Sequence, residues 1–187
     1  MTNARFVITG GPGAGKTTVL NALAKRGYIC AFESARAIIK ERLASGLSPR
    51  PPLEQFGRDI LQMDIARYRE TRVTDHPVFF DRGILDALYV LEQQKAIGFG
   101  KAREYVRSFP YNEVVLLMPP WEEIYSTDSE RDQTFGESVE VFDGLRKWYE
   151  RWDYEPTEVP RTTVDQRINF ILQTVECALT QSMQRTR

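Results

Sequence analysis

Apolar residues along this chain fall into short unbroken runs separated by longer stretches with helical spacing. The runs are Phe6-Val7-Ile8, Tyr28-Ile29-Cys30-Ala31-Phe32, Pro77-Val78-Phe79-Phe80 ahead of Asp81, and Val114-Val115-Leu116-Leu117-Met118, the last stopped by Pro119-Pro120. Runs this short and this free of polar alternation predict strands buried on both faces. A further short strand is predicted over Glu155 to Val159. Thr18 to Lys25 reads as the opening turns of a helix. Ser34 to Leu43 sets Ala35, Ile38, Ile39 and Leu43 on one side, and a helix from about Leu53 to Glu70 carries Phe56, Ile60, Met63 and Arg67 at helical spacing. Helices are also predicted over Ile84 to Gln94, Ala102 to Arg107, Ser138 to Arg151, and Val164 to about Met183, where Thr163 and Gln166 fit a capping box. Gly27 and Ser48-Pro49-Arg50-Pro51-Pro52 mark breaks between elements. Buried runs alternating with helices predict the α/β class, with five parallel strands and helices on both sheet faces. No internal repeat or low-complexity segment interrupts the pattern.

Composition narrows the setting. The chain has 187 residues, 42% of them hydrophobic, which suits one well-packed domain over 1–187. Lys and Arg number 25 against 26 Asp and Glu, for a net charge of -1. A nucleic-acid partner, which wants basic residues in excess, is therefore not expected. Cys30 and Cys177 lack both metal-ligand spacing and the density of a disulfide scaffold, and point to a reduced, cytoplasmic setting. No run approaches transmembrane length, so no membrane insertion is expected, and no apolar targeting segment precedes the first strand. Nothing in the sequence indicates a homo-oligomer. Trp148, Tyr149, Trp152 and Tyr154 read as a core stripe with its rim, because they lack the positive surroundings of a base-stacking surface.

Candidate chemistry begins directly after the first run. Gly10-Gly11-Pro12-Gly13-Ala14-Gly15-Lys16-Thr17-Thr18 satisfies the phosphate-loop pattern between a strand and a helix. Glycines let the backbone turn so that successive N–H groups face phosphate oxygens, and the helix N-terminus adds unpaired donors and a favourable dipole. Residues Gly11 to Thr18 are the expected nucleotide contacts. Lys16 is expected to reach the β- and γ-phosphates, and the Thr17 hydroxyl to ligate Mg²⁺.

Five residues beyond the loop can carry chemistry. Asp81 ends the third strand, and in a parallel sheet the carboxyl ends of strands share the crevice with the phosphate loop. A carboxylate there can hold Mg²⁺ through water as partner to Thr17, or cap the turn Asp81-Arg82-Gly83. The fork of Arg82 suits two phosphate oxygens. Glu33 follows the second strand and can accept a proton from an attacking hydroxyl, although Glu33 or Ser34 equally suits a helix cap. Arg36, three residues on, can bind an acceptor or pair with Glu33. Residues 122–137 lie where a lid over the phosphates is expected, with Arg131 as its cation; three acids around Arg131 equally describe a solvated connection. His76 has no second ligand at metal spacing and reads as a turn residue.

Taken together, the sequence resembles the small P-loop kinase-like "AAA domain" predicted ATPases, related in plan to thymidylate kinase, the deoxynucleoside kinases and the ribosylnicotinamide kinase domain. The matching places are the loop, Glu33-Ser34-Ala35-Arg36, Phe80-Asp81-Arg82-Gly83, Asp128-Ser129-Glu130-Arg131 and Val159-Pro160. The resemblance implies a three-layer P-loop NTPase fold, binding of ATP or GTP with Mg²⁺, and phosphoryl transfer to a small-molecule acceptor. It assigns the β/γ-phosphates to Lys16, the metal to Thr17 and Asp81, phosphate or acceptor to Arg82, the acceptor hydroxyl to Glu33, and developing charge to Arg131. A nucleotide-dependent regulatory protein and a simple NTPase are the alternatives. The single lid arginine and the absence of an Asp-Gly-Phe-Pro-Arg segment leave a mononucleotide acceptor unsupported. Without an Asn-Lys-x-Asp segment, and with Arg161 in Pro160-Arg161-Thr162-Thr163 where adenine is often covered, ATP is favoured over GTP. The acceptor side is expected around Arg36, Arg58 and the Leu53 to Arg67 segment.

Overall fold

The computed structural model describes residues 3–32, 34–48, 51–72, 76–125 and 133–185. Its elements in chain order are β1 (Arg5–Gly10), α1 (Lys16–Lys25), β2 (Ile29–Ala31), α2 (Ser34–Ala44), α3 (Leu53–Glu70), β3 (Val78–Asp81), α4 (Ile84–Gln93) and α5 (Phe99–Ser108). There follow β4 (Val114–Met118), a 3-10 turn at Glu122–Ile124, α6 (Phe135–Arg151), β5 (Glu155–Glu158) and α7 (Val164–Arg185).

All five strands are parallel, in the order β2-β3-β1-β4-β5. The central β1 pairs on one side with β3, bringing Ile8 level with Asp81, and on the other with β4, bringing Gly10 level with Met118. Strand alternation sorts the apolar runs between two faces. Phe6, Ile8, Phe79, Leu116 and Met118 pack with Leu20 and Leu23 of α1 and with Ile168, Ile171 and Val175 of α7. Their neighbours Val7, Phe80, Val115 and Leu117 face the opposite way and are equally buried, and α6 packs against β1, β4 and β5 through a stripe that includes Phe142, Leu145 and Tyr149. The result is a three-layer α/β fold with helices flanking a parallel sheet. The polar edge strand β5 tolerates Pro156, which an interior strand would not.

The described residues form two compact units. One comprises those of 1–32, 73–81 and 111–187 and holds the whole sheet with α1, α6 and α7. The other comprises those of 33–72 and 82–110, in which α3 packs on α2 and α4, and α4 on α5. Gly57 permits the α3–α4 approach: a Cβ there would lie 3.0 Å from Leu91 Cδ2.

Several elements differ from their sequence-predicted form. Helix α6 starts at Phe135 instead of Ser138, because Thr134 Oγ1 accepts from the Glu137 N–H (3.2 Å) while the Glu137 carboxylate accepts from the Thr134 N–H (2.6 Å). Helix α1 likewise begins at Lys16, and α5 runs from Phe99 to Ser108 rather than over its central residues alone. On α3 the buried stripe is Gly57, Ile60, Leu61, Asp64, Ile65 and Tyr68, one position round from the expected Phe56, Met63 and Arg67. Ile60 is common to both, but helical spacing carried on through Phe56, Met63 and Arg67, whereas the buried face includes a glycine and a carboxylate that no apolar pattern selects.

Candidate functional site

The turn from β1 into α1 is built from left-handed backbone. Gly13 (φ 76°) and Gly15 (φ 79°) adopt conformations costly to any residue with a Cβ. Lys16 folds back inside the loop, 7% exposed, and its ammonium donates to Gly10 O at 3.0 Å and Gly11 O at 2.7 Å. Thr17 and Thr18 follow on the first turn of α1. Asp81, level with Ile8 at the end of the neighbouring strand, is 2% exposed. Its field, after burial itself, pushes the Cys30 thiol up to about 11. Cys30 therefore stays protonated at neutral pH and is a poor nucleophile.

Three side chains that sequence reasoning did not single out brace the outside of this loop. The ring of Tyr125 lies over Gly13, where a Cβ would come within 2.3 Å of Cδ2, and its hydroxyl donates to Gln133 O. Ser138, fully buried on α6, donates from Oγ to Pro12 O at 2.7 Å. Arg167, 5% exposed in the first turn of α7, donates from Nη1 to Ala14 O at 3.4 Å and stacks 5.3 Å from the Trp121 ring centroid. A signal for Arg167 exists in the sequence. It falls on the apolar stripe of Val164, Ile168 and Ile171, and a cation in a first helical turn opposes the helix dipole. Arg161, by contrast, is exposed and donates from Nε to Pro120 O at 2.8 Å, tying the turn after β5 to the segment after β4.

Arg82 belongs to the second unit. It holds a left-handed conformation (φ 63°), unusual for an arginine, and its Nη1 lies 3.1 Å from Asp86 Oδ1. Asp86 also accepts from the Gly83 N–H at 2.9 Å, which caps α4. Arg67 donates to Arg82 O at 3.1 Å and to the buried Asp64 carboxylate at 2.8 Å. Arg58 pairs with Glu54 at 2.8 Å and donates to Ala96 O. Glu33 and Arg131 lie outside the described residues, as do 126–132 of the expected lid and the side chain of Arg36.

The loop conformation, its inward lysine and the parallel order β2-β3-β1-β4-β5 define a P-loop NTPase of kinase-like fold. Within that class, the AAA domain family matches residues 5–167, and the chain belongs to it. No curated protein matches the chain significantly. Among solved structures it is similar to the deoxyadenosine kinase of M. mycoides with bound dATP, at 17% identity over 92% of this chain and 99% of that one, with a TM-score of 0.53. It is also similar to the thymidylate kinase of Ehrlichia chaffeensis, at 13% identity over 94% and 100%, with a TM-score of 0.60. At these identities the likeness is one of fold. No helix among the described residues is long and apolar enough to cross a membrane.

Proposed function

We propose that this protein is a Mg²⁺-dependent kinase that transfers the γ-phosphoryl group of ATP, with GTP as the lesser donor, to a small-molecule acceptor. The observation that carries this reading is the inward Lys16 ammonium between Gly10 O and Gly11 O, with the buried Asp81 closing the next strand. A triphosphate replaces those two carbonyls as the lysine's partner, while N–H groups of Gly11 to Thr18 hold its oxygens. The hydroxyl of Thr17 would ligate Mg²⁺ and the carboxylate of Asp81 would hold it through water; both are hard oxygen donors of the kind Mg²⁺ takes, with phosphate and water completing the shell. Mg²⁺ there neutralises charge on the phosphates. By resemblance, Arg161 covers the nucleobase. The likeness to a deoxyadenosine kinase solved with dATP supports a nucleotide in the loop. By resemblance, Glu33 contacts the acceptor hydroxyl, Arg82 orients phosphate or acceptor, and Arg131 neutralises developing charge; as a carboxylate, Glu33 can also accept that hydroxyl's proton. The domain then comprises 1–187 with a lid over 122–137.

The test is incubation of the purified protein with γ-labelled ATP, Mg²⁺ and a metabolite pool. Label on a small molecule is the expected result. Label appearing only as free phosphate, independent of the pool and lost in Lys16→Ala, identifies a simple NTPase instead. Binding of ATP without turnover, accompanied by altered association with another protein, identifies a regulator.

A further inference from the structure

Among the described residues, Arg167 is the one buried cation at the loop that the roles above leave unused. The residue is 5% exposed, and among the described residues no carboxylate pairs with it. Nε is buried without a hydrogen-bond partner, and the bond from Nη1 to Ala14 O is long at 3.4 Å. Burial pushes its pKa down. The cation lies against the N-terminal end of α1: a Cβ on Gly15 would be 3.0 Å from Nη1 and 3.4 Å from Nη2. It also sits in the first turn of α7, so the positive ends of two helix dipoles add to its charge. A buried guanidinium so surrounded is costly unless an anion offsets it.

We propose that Arg167 is a second cation of the phosphate loop, a positioning residue that acts from behind the Ala14–Gly15 peptide. Its bond to Ala14 O turns that carbonyl outward and so aims the following N–H into the loop, and its charge raises affinity for a polyphosphate in proportion to the negative charge bound. The proposal rests on the nucleotide reading above. The Trp121 face keeps the guanidinium from swinging away when the loop is empty.

Two variants separate charge from bracing. Arg167→Gln keeps a donor for Ala14 O but removes the charge; Arg167→Lys keeps the charge. Calorimetric titration with pyrophosphate, tripolyphosphate, ADP and ATP is expected to show Arg167→Gln weaker by about tenfold for the triphosphates and less for the diphosphates, as loss of a partly desolvated charge implies. Arg167→Lys is expected within about threefold of wild type, because the charge is retained. Melting temperatures of the ligand-free proteins report bracing separately. Equal losses across di- and triphosphates, or equal losses in the two variants, overturn the proposal and leave Arg167 a structural brace. If either variant does not fold, the other against wild type decides: a threefold or smaller loss for Gln, or a tenfold loss for Lys, overturns it. Failure of wild type itself to bind ATP, GTP or tripolyphosphate defeats the nucleotide reading instead, and is distinguished by that wild-type result.

Discussion

The two tasks proposed for Lys16 and Asp81 can be separated by single substitutions. Lys16→Ala removes a charge-assisted donor from the centre of the loop, and ATP affinity is expected to fall by at least about tenfold in calorimetry. Asp81→Asn keeps shape and volume but removes the charge proposed to hold Mg²⁺. Nucleotide binding without Mg²⁺ is expected to survive, while Mg²⁺-dependent transfer of label falls by about a hundredfold or more. Gly13→Ala tests the loop backbone itself. A methyl there meets the Tyr125 ring and must also accept φ 76°, at a cost of about 1–2 kcal/mol before Tyr125 moves. A lower melting temperature with weaker nucleotide binding is the expected outcome, and an unchanged melting temperature would show that Tyr125 moves aside freely.

Among the elements, the capping box at Thr134 and Glu137 decides where α6 begins, and with it where Ser138 meets Pro12. Thr134→Ala is expected to cost about 1 kcal/mol, read from urea unfolding. The strands were legible in the sequence because β1, β3 and β4 are buried on both faces and so leave uninterrupted apolar runs. The start of α6 was not, since its first turn, Phe135-Gly136-Glu137, carries no apolar periodicity. The phosphate loop was legible because its chemistry is local: one turn supplies every residue of the motif. Its outer brace was not. Tyr125, Ser138 and Arg167 come from three distant segments, and only the folded sheet brings them to the loop. Asp64 illustrates the same limit on α3, where a charged side chain occupies a buried position that hydrophobic spacing assigns to the surface.

For the molecule as a whole, Cys30 links stability to alkaline pH. The thiol's pKa rises from an ordinary 9.0 to about 11 in the folded chain, so between those values the unfolded chain loses its proton first. Fewer protons bound to the unfolded state means that stability falls as pH rises from about 9 to 11. The loss is expected at about 1–2 kcal/mol, discounted for the partial exposure of the thiol. Urea unfolding across that range checks it, with Cys30→Ala expected to show the shallower slope; identical slopes would refute the link.

The parallel register carries a consequence for how the protein comes into being. The loop's glycines and lysine are made well before Ser138 and Arg167, which bond to the loop from 126 and 153 positions downstream. Contacts this distant in sequence make for slow folding, because chain must be ordered before they reward it. On the ribosome the motif therefore waits, complete in sequence but unbraced, until α7 has been synthesised. If the proposed nucleotide prefers the braced loop, it is expected to act on newly made chains as a folding ligand, drawing α7 into place as it binds.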